Sequence, residues 1–140
     1  MWVLGRLRRR KEPVRRKKAR RDYVLHKEKA RAIVHERVNH WAPKIGVTPG
    51  RIAIRDQRSR WGSCSTNGNL NFNYRIVHIP LELVDYIIVH ELCHLLEFNH
   101  SERFWAHVEA HVPSYELHKT ALRIMTRNLS ETPHTAMVGG

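Results

Sequence analysis

Three patterns in the sequence predict an α+β domain. Apolar residues recur every three or four positions between Tyr23 and Trp41, alternate with polar ones in residues 51–56 and 69–75, and form a broad helical face from Leu81 to Leu95. An N-terminal helix, a small antiparallel sheet with a hairpin, a central helix and two C-terminal helices follow from them. At 140 residues the chain has the size of one domain with one modest core.

The first helix aligns Ala30, Ile33, Val34, Val38 and Trp41, leaves His35 and His40 on the polar side, and is expected to stop at Pro43. Gly46, Pro49 and Gly50 punctuate the loop that follows. Within RIAIRD, residues 51–56, Ile52 and Ile54 alternate with Arg51, Ala53 and Arg55, as in a half-buried strand. RWGSCS (60–65) and NLNFNYR (69–75) flank Asn67-Gly68, a pair suited to the positive φ angles of a tight turn, and so predict a hairpin. Leu70, Phe72 and Tyr74 would form its apolar face, and Asn71 and Asn73 its polar one.

Pro80 suits the first position of a helix, and Glu82 and Asp85 suit the positive end of its dipole. Leu81, Val84, Ile87, Ile88, Leu92 and Leu95 would bury this helix in the core. Ser101 is an N-cap for the next helix, with Phe104, Trp105 and Val108 inward. Beyond Pro113-Ser114, Tyr115, Leu117, Leu122, Ile124 and Met125 mark a last helix, and residues 128–140 read as disordered.

The formal charge of +12 is unevenly spread. Residues 1–21 hold 11 Lys/Arg and one acid, Glu12, whereas the remaining 119 residues hold 14 Lys/Arg and 12 acids. Residues 1–22 therefore read as a flexible basic tail on a domain spanning 23–127, and residues 1–21 can attract nucleic acid nonspecifically through counterion release. Trp2-Val3-Leu4 is too short for the apolar core of a signal peptide, and no run is long enough to span a bilayer, so a cytoplasmic protein is expected. Two cysteines, Cys64 and Cys93, make no disulfide framework and agree with a reducing compartment.

Chemistry concentrates at His90-Glu91-Leu92-Cys93-His94. On a helix, positions i and i+4 lie about 40° apart around the axis, so His90 and His94 can aim two imidazoles at one divalent metal. Glu91 is offset from both, placed to reach a water and act as general base. A catalytic zinc site needs a third protein ligand and an open position. Glu97 shares the helical stripe, but seven residues of rise place it about 10.5 Å from His90 along the axis. Asn99 tolerates the left-handed conformation that ends helices, and His100 can then turn back to the metal. His107, Glu109 and His111 on the next helix are the rivals. Cys93 reads as a packed interior residue, and Cys64 as a hairpin residue within possible reach of the metal.

The strings RWGSCSTNGNLNFNYRIVHIP and DYIIVHELCHLLEFNHSERFW resemble the YgjP-like zinc metallopeptidase-type domain, a relative of the SprT-like and WLM minimal zincins, from about Tyr23 to Ile124. The resemblance implies a minimal zincin-like fold and a peptide or protein substrate. It also implies one Zn2+ per chain on His90, His94 and His100, with Glu91 as the catalytic base. The spacing from His90 to His100 equals that of metzincins, with Glu97 in place of their glycine. Longer members carry an N-terminal β-rich extension where this chain has its basic segment.

In zincins the substrate lies along an edge strand near the metal, and residues 70–74 are expected to provide that edge. Arg60, Asn71, Asn73 and Tyr74 are the candidates for substrate contact. Tyr74, Arg60, Arg75 and Tyr115 are candidates to stabilise an oxyanion. Two other readings accompany this one. Some relatives carry a nucleotide pyrophosphatase assignment, and Arg55, Arg58, Arg60 and Arg75 could hold phosphates. Alternatively, the basic tail delivers a protease to nucleic acid.

Overall fold

The computed structural model describes residues 13–129. Its elements run α1 (Val14–Ile45), β1 (Ile52–Arg55), β2 (Gly62–Cys64), β3 (Leu70–Asn73), α2 (Leu81–Cys93), α3 (Glu102–His111) and α4 (Tyr115–Leu129), with a 3₁₀ turn over Tyr74–His78. The α+β class and the order of elements agree with the sequence patterns.

The boundary between tail and domain differs. α1 begins at Val14, so residues 14–22, expected as part of a flexible tail, are helical. Arg, Lys and Ala are good helix formers, and their propensity outweighs the unfavourable basic charge in a first turn that holds no acid. Packing begins at Tyr23, whose hydroxyl donates to the Ile54 carbonyl at 3.3 Å and whose ring meets Tyr74 edge-on. Further along, Ala30, Val34, Val38 and Ala42 are buried, while His35 and His40 stay exposed as expected.

Pro43 does not stop the helix. It sits in the last turn, and the chain leaves at Gly46 (φ 84°), whose N–H, like that of Val47, donates to the Ala42 carbonyl. Expectations for residues 1–12 and 130–140 fall outside the described residues, and the helix α4 extends to Leu129.

The sheet is mixed, not antiparallel, with order β1-β3-β2. β3 runs parallel to β1 with Ile54 opposite Phe72, and antiparallel to β2 with Gly62 opposite Phe72. The hairpin is as expected, but only Gly68 of the Asn67-Gly68 pair has positive φ (82°). The Gly68 N–H donates to the Ser65 carbonyl, and Ser65 N–H to Asn69, so a glycine-terminated turn replaces one with two left-handed residues.

The predicted polar face of β3 is also covered. Asn73 is fully buried: its amide donates to the carbonyls of Gln57 and Arg60 while its Oδ1 accepts from the Arg75 N–H and starts the 3₁₀ turn.

α2 lies at the centre. Leu81 is exposed, but every residue from Tyr86 to Cys93 is buried, so the helix is sheathed nearly all round rather than on one face. α1 holds it on one side through the paired Arg37–Asp85 hydrogen bonds of 2.6 and 3.0 Å. α4 holds the assembly on another, with Thr126 accepting from the Trp61 indole at 3.2 Å. Trp61, Phe72, Ile76, Ile87, Ile88, Leu92 and Phe104 fill the core between.

Candidate metal centre

α2 ends at Cys93, earlier than the apolar face suggests. His94 caps it in helical conformation, and the next N–H groups tighten to three-residue bonds: His94 to Glu91, Leu95 to Leu92, Leu96 to Cys93. The chain therefore turns away at His94–Glu97, and Asn99 is not left-handed, since no described residue but glycine has positive φ. Ser101 then accepts from the Phe104 N–H at 3.3 Å and starts α3, as expected of an N-cap. His100 lies in this short link and folds back over α2.

The three histidines converge. One ring nitrogen from each of His90, His94 and His100 lies within 4.8 Å of the others, and no other His, Cys, Asp or Glu joins them among the described residues. His107, Glu109 and His111 are thus elsewhere: His111 Nδ1 meets the His107 carbonyl and its Nε2 the Lys44 carbonyl. Glu97 faces Arg103 at 3.9 Å. Cys64 bonds through its thiol to the Ser65 carbonyl, and burial, with the Glu91 charge adding, raises its pKa to about 11, which keeps it a neutral thiol. Cys93 is fully buried in the core, its thiol pushed up to about 12 by desolvation.

The donor set fits a metal ion. With a proton on Nδ1, His90 donates toward Glu91 Oε2 at 3.3 Å, which leaves Nε2 buried and without a partner among the described residues. With its proton on Nδ1, His94 likewise donates to the Glu97 carbonyl at 3.3 Å and turns Nε2 inward. There it meets His100 Nε2 at 2.9 Å, a contact that needs a proton or a cation between the rings. Desolvation first and the His90 charge next lower the pKa of His94. The same causes, with His94 added, bring His100 down to about 4. At neutral pH both therefore offer lone pairs rather than protons, the state a metal requires.

Phe104 braces all three rings. It stacks on His94 at 4.4 Å and meets His90 and His100 edge-on at 5.0 and 4.9 Å. Trp105 lies along His100 at 5.8 Å and is backed by Tyr115 at 5.2 Å. The sequence marks these residues as apolar, but only the fold shows that they frame the three histidines.

Glu91, 2 % exposed, points toward β2. A Cβ at Gly62 would stand 3.1 Å from both Glu91 Cγ and Oε2, so the glycine of RWGSCS makes room for the carboxylate. Tyr86, four residues before His90, was not among the expected site residues. Its hydroxyl is buried with no partner among the described residues, its ring meets His90 at 6.0 Å, and burial, reinforced by the Glu91 charge, raises its pKa.

The strand near the cluster is β2, not β3. β3 is central, paired on both sides, whereas β2 is an edge. Trp61 and Ser65 bond to Asn73 and Asn69 across the hairpin, so the alternating pattern turns the backbone groups of Gly62 and Cys64 outward. Of the four residues expected to contact substrate, Asn73 and Tyr74 are buried and committed to internal contacts. Asn71 accepts from Arg55, and only Arg60 is exposed. Arg75, expected as an oxyanion or phosphate contact, is tied to Asp56 and the Gln57 carbonyl and lies over the Tyr74 ring.

A buried His-Glu-x-x-His helix beside a small sheet, with a third histidine returning from the link to the next helix, defines a metallopeptidase-type domain. The family model described as "YgjP-like, metallopeptidase domain" matches residues 5–125, and the chain belongs to that family. Among solved structures it is similar to the metallopeptidase zymogen of Pyrococcus abyssi abylysin, at 22% identity and a TM-score of 0.62, over 67% of this chain and 95% of that one. No curated protein matches the chain. Among the described residues no helix is long and apolar enough to cross a membrane.

Proposed function

We propose that this domain is a zinc-dependent peptidase in which His90, His94 and His100 hold one Zn2+ and Glu91 is the general base. The observation that carries the reading is the inward convergence of three ring nitrogens, one of them, His90 Nε2, buried and unpartnered. Zinc bound there would supply Lewis acidity to polarise a carbonyl and to lower the pKa of water.

The protein's own residues do the rest. Glu91 takes the proton of the attacking water on a carboxylate oxygen and passes it to the leaving amine. Gly62 leaves the space in which that carboxylate sits. The outward backbone groups of Gly62 and Cys64 fit an extended peptide added to the β2 edge, so the substrate is recognised through its main chain at this point. Arg60, beside that edge, and Asn71 remain the side chains proposed to touch substrate. A nonspecific nucleic-acid partner fits the basic residues 1–21, and a cytoplasmic location fits two free cysteines.

Glu91→Gln is the test. The variant is expected to keep its zinc and to lose turnover by roughly 10²–10⁴-fold in peptide cleavage assays, the usual scale for removing a general base. Cleavage at the wild-type rate would remove Glu91 from the role.

A further inference from the structure

The near balance of charge outside residues 1–21 conceals a division within the folded domain. Residues 51–75 hold five Arg and one acid, whereas residues 76–112 hold six acids and one Arg. The one acid of the first segment, Asp56, pairs with Arg75 at 3.0 Å. Arg51, Arg55, Arg58 and Arg60 are all exposed.

Strand geometry gathers part of this charge on one side of the sheet. Ile54, Phe72 and Gly62 form a buried row that faces Glu91 on α2. The alternate row, Ala53, Asn71 and Ser63, faces the other way and is only half-buried, with Arg51 and Arg55 beside it on β1. Arg55 Nε donates to Asn71 along this row at 3.3 Å.

A second basic element joins the first. Residues 14–21, the opening turns of α1, hold six Lys/Arg and no acid. Tyr23 anchors them at the end of β1, where its hydroxyl donates to the Ile54 carbonyl and its ring meets Tyr74. Burial chiefly raises the pKa of Tyr74, and the charges that also act on it are those of Arg75, Asp56, Asp22 and Arg58. The loop after β1 and the basic turns of α1 therefore meet at that ring.

Three properties select the partner. The cations of residues 51–75 are all Arg, whose planar guanidinium binds phosphate oxygens in pairs. Trp61, Phe72 and Tyr74, the aromatic residues of the same segment, are buried, so nothing there stacks on unpaired bases. On α1 the helical stripe that joins Val14 to Leu25 runs through Lys18 and Arg21, so it offers no apolar face to a lipid surface.

We infer that the opening turns of α1 and the arginine side of the sheet form one continuous surface for the phosphate backbone of a nucleic-acid duplex, bound without regard to base sequence. The inference rests on the nucleic-acid reading of residues 1–21, which it extends into the folded domain, and is independent of the peptidase reading. Lys18 and Arg21 meet phosphates from one element, and Arg55 and Arg58 from the other.

The experiment titrates the full chain into a labelled DNA duplex across a range of salt, with affinity read by fluorescence anisotropy. Two double variants neutralise the two elements: Lys18→Gln with Arg21→Gln on α1, and Arg55→Gln with Arg58→Gln on the sheet side. A third, Lys44→Gln with Arg103→Gln, removes two charges elsewhere. Arg51→Gln with Arg58→Gln serves as a second sheet-side variant in case loss of the Arg55–Asn71 bond disturbs the fold, which circular dichroism checks. Each phosphate contact contributes about 0.9 to the slope of log affinity against log salt. Either of the first two variants should therefore lower that slope by about 2, and affinity at about 0.1 M salt by about tenfold or more. The third should leave the slope unchanged.

A folded sheet-side variant that binds like the wild type would overturn the surface and leave residues 1–21 as the binding segment. A wild type that binds no duplex would overturn both. An equal loss in the third variant would reduce the effect to net charge and overturn the surface as well. Tighter binding to the single strand or to phosphatidylserine vesicles, or equal displacement by poly-glutamate, would overturn the duplex as the partner.

Discussion

His90 and Glu91 are 1 % and 2 % exposed on a helix sheathed by α1, α3, α4 and β2, whereas His94 caps that helix and His100 stands exposed beyond it. The first pair is held by the same packing that forms the core. The second is held by aromatic rings from α3, with Phe104 touching all three histidines and Trp105 lying along His100. One half of the site is therefore fixed when the domain folds, and the other is positioned by a local brace. Rigid placement of ligands lowers the ordering cost of binding a metal, so the brace carries most of what remains to be ordered.

Removing the brace should have the largest effect. Phe104→Ala deletes a fully buried ring, with a loss of about 3–5 kcal/mol in unfolding stability expected from denaturant titration. Zinc affinity, measured by chelator competition, should fall as well. Retained affinity in a folded variant would show that the histidines hold their positions without the ring.

A smaller and more selective effect is expected on the core half. Gly62→Ala places a methyl group 3.1 Å from Glu91 and 3.2 Å from Phe72, so the carboxylate must shift while the histidines need not. With Glu91 as the proposed base, turnover should fall by roughly tenfold with zinc content unchanged, since even a small misplacement of a catalytic group costs rate. A loss of zinc in that variant would mean that the two halves are not separable.

How much of this was legible beforehand follows the same division. The convergence of His90, His94 and His100 is legible in the sequence because helical spacing is local and the third histidine follows soon after the helix. The helix end is not legible: Asn99 is the residue type of a terminator, but the chain leaves at His94–Glu97 through tightened hydrogen bonds that any residue type can make. Alternation in Leu70–Asn73 gives the strand β3 and not its neighbours, so the sequence suggests an edge where the fold has a central strand. Its parallel partner β1 lies before β2 and the hairpin turn in the sequence, a pairing set by tertiary packing. The same limit puts Asn73 on a polar face, and the hydrogen bonds that its side chain makes to the loop and the 3₁₀ turn have no sequence signature. Dense like charge makes residues 14–22 read as a tail, although helix propensity and continuity with the packed part of α1 prevail.

The smallest effect concerns pH, and it falls on the exposed half. In the metal-free protein the pKa of His100 is lowered from 6.5 to about 4, and that of His94 is lowered in the same direction. Above about pH 6.5 both states of the chain hold these rings neutral and no stability depends on them. As pH falls from 6.5 toward 4 the unfolded chain takes up the protons first, so the folded state loses stability through this window. Thermal unfolding of the metal-free chain should show that loss, and His100→Ala should show less of it. An equal loss in both proteins would remove His100 as its source.

The central claim is that three histidines, and not two, hold one zinc. Elemental analysis of the full chain after zinc loading and exhaustive buffer exchange tests it directly, on the wild type and on His100→Ala. About one zinc per chain in the wild type and only a small fraction of that in His100→Ala are expected, with both proteins folded by circular dichroism. A full equivalent of zinc retained by His100→Ala, or a folded wild type that holds none, would contradict the account.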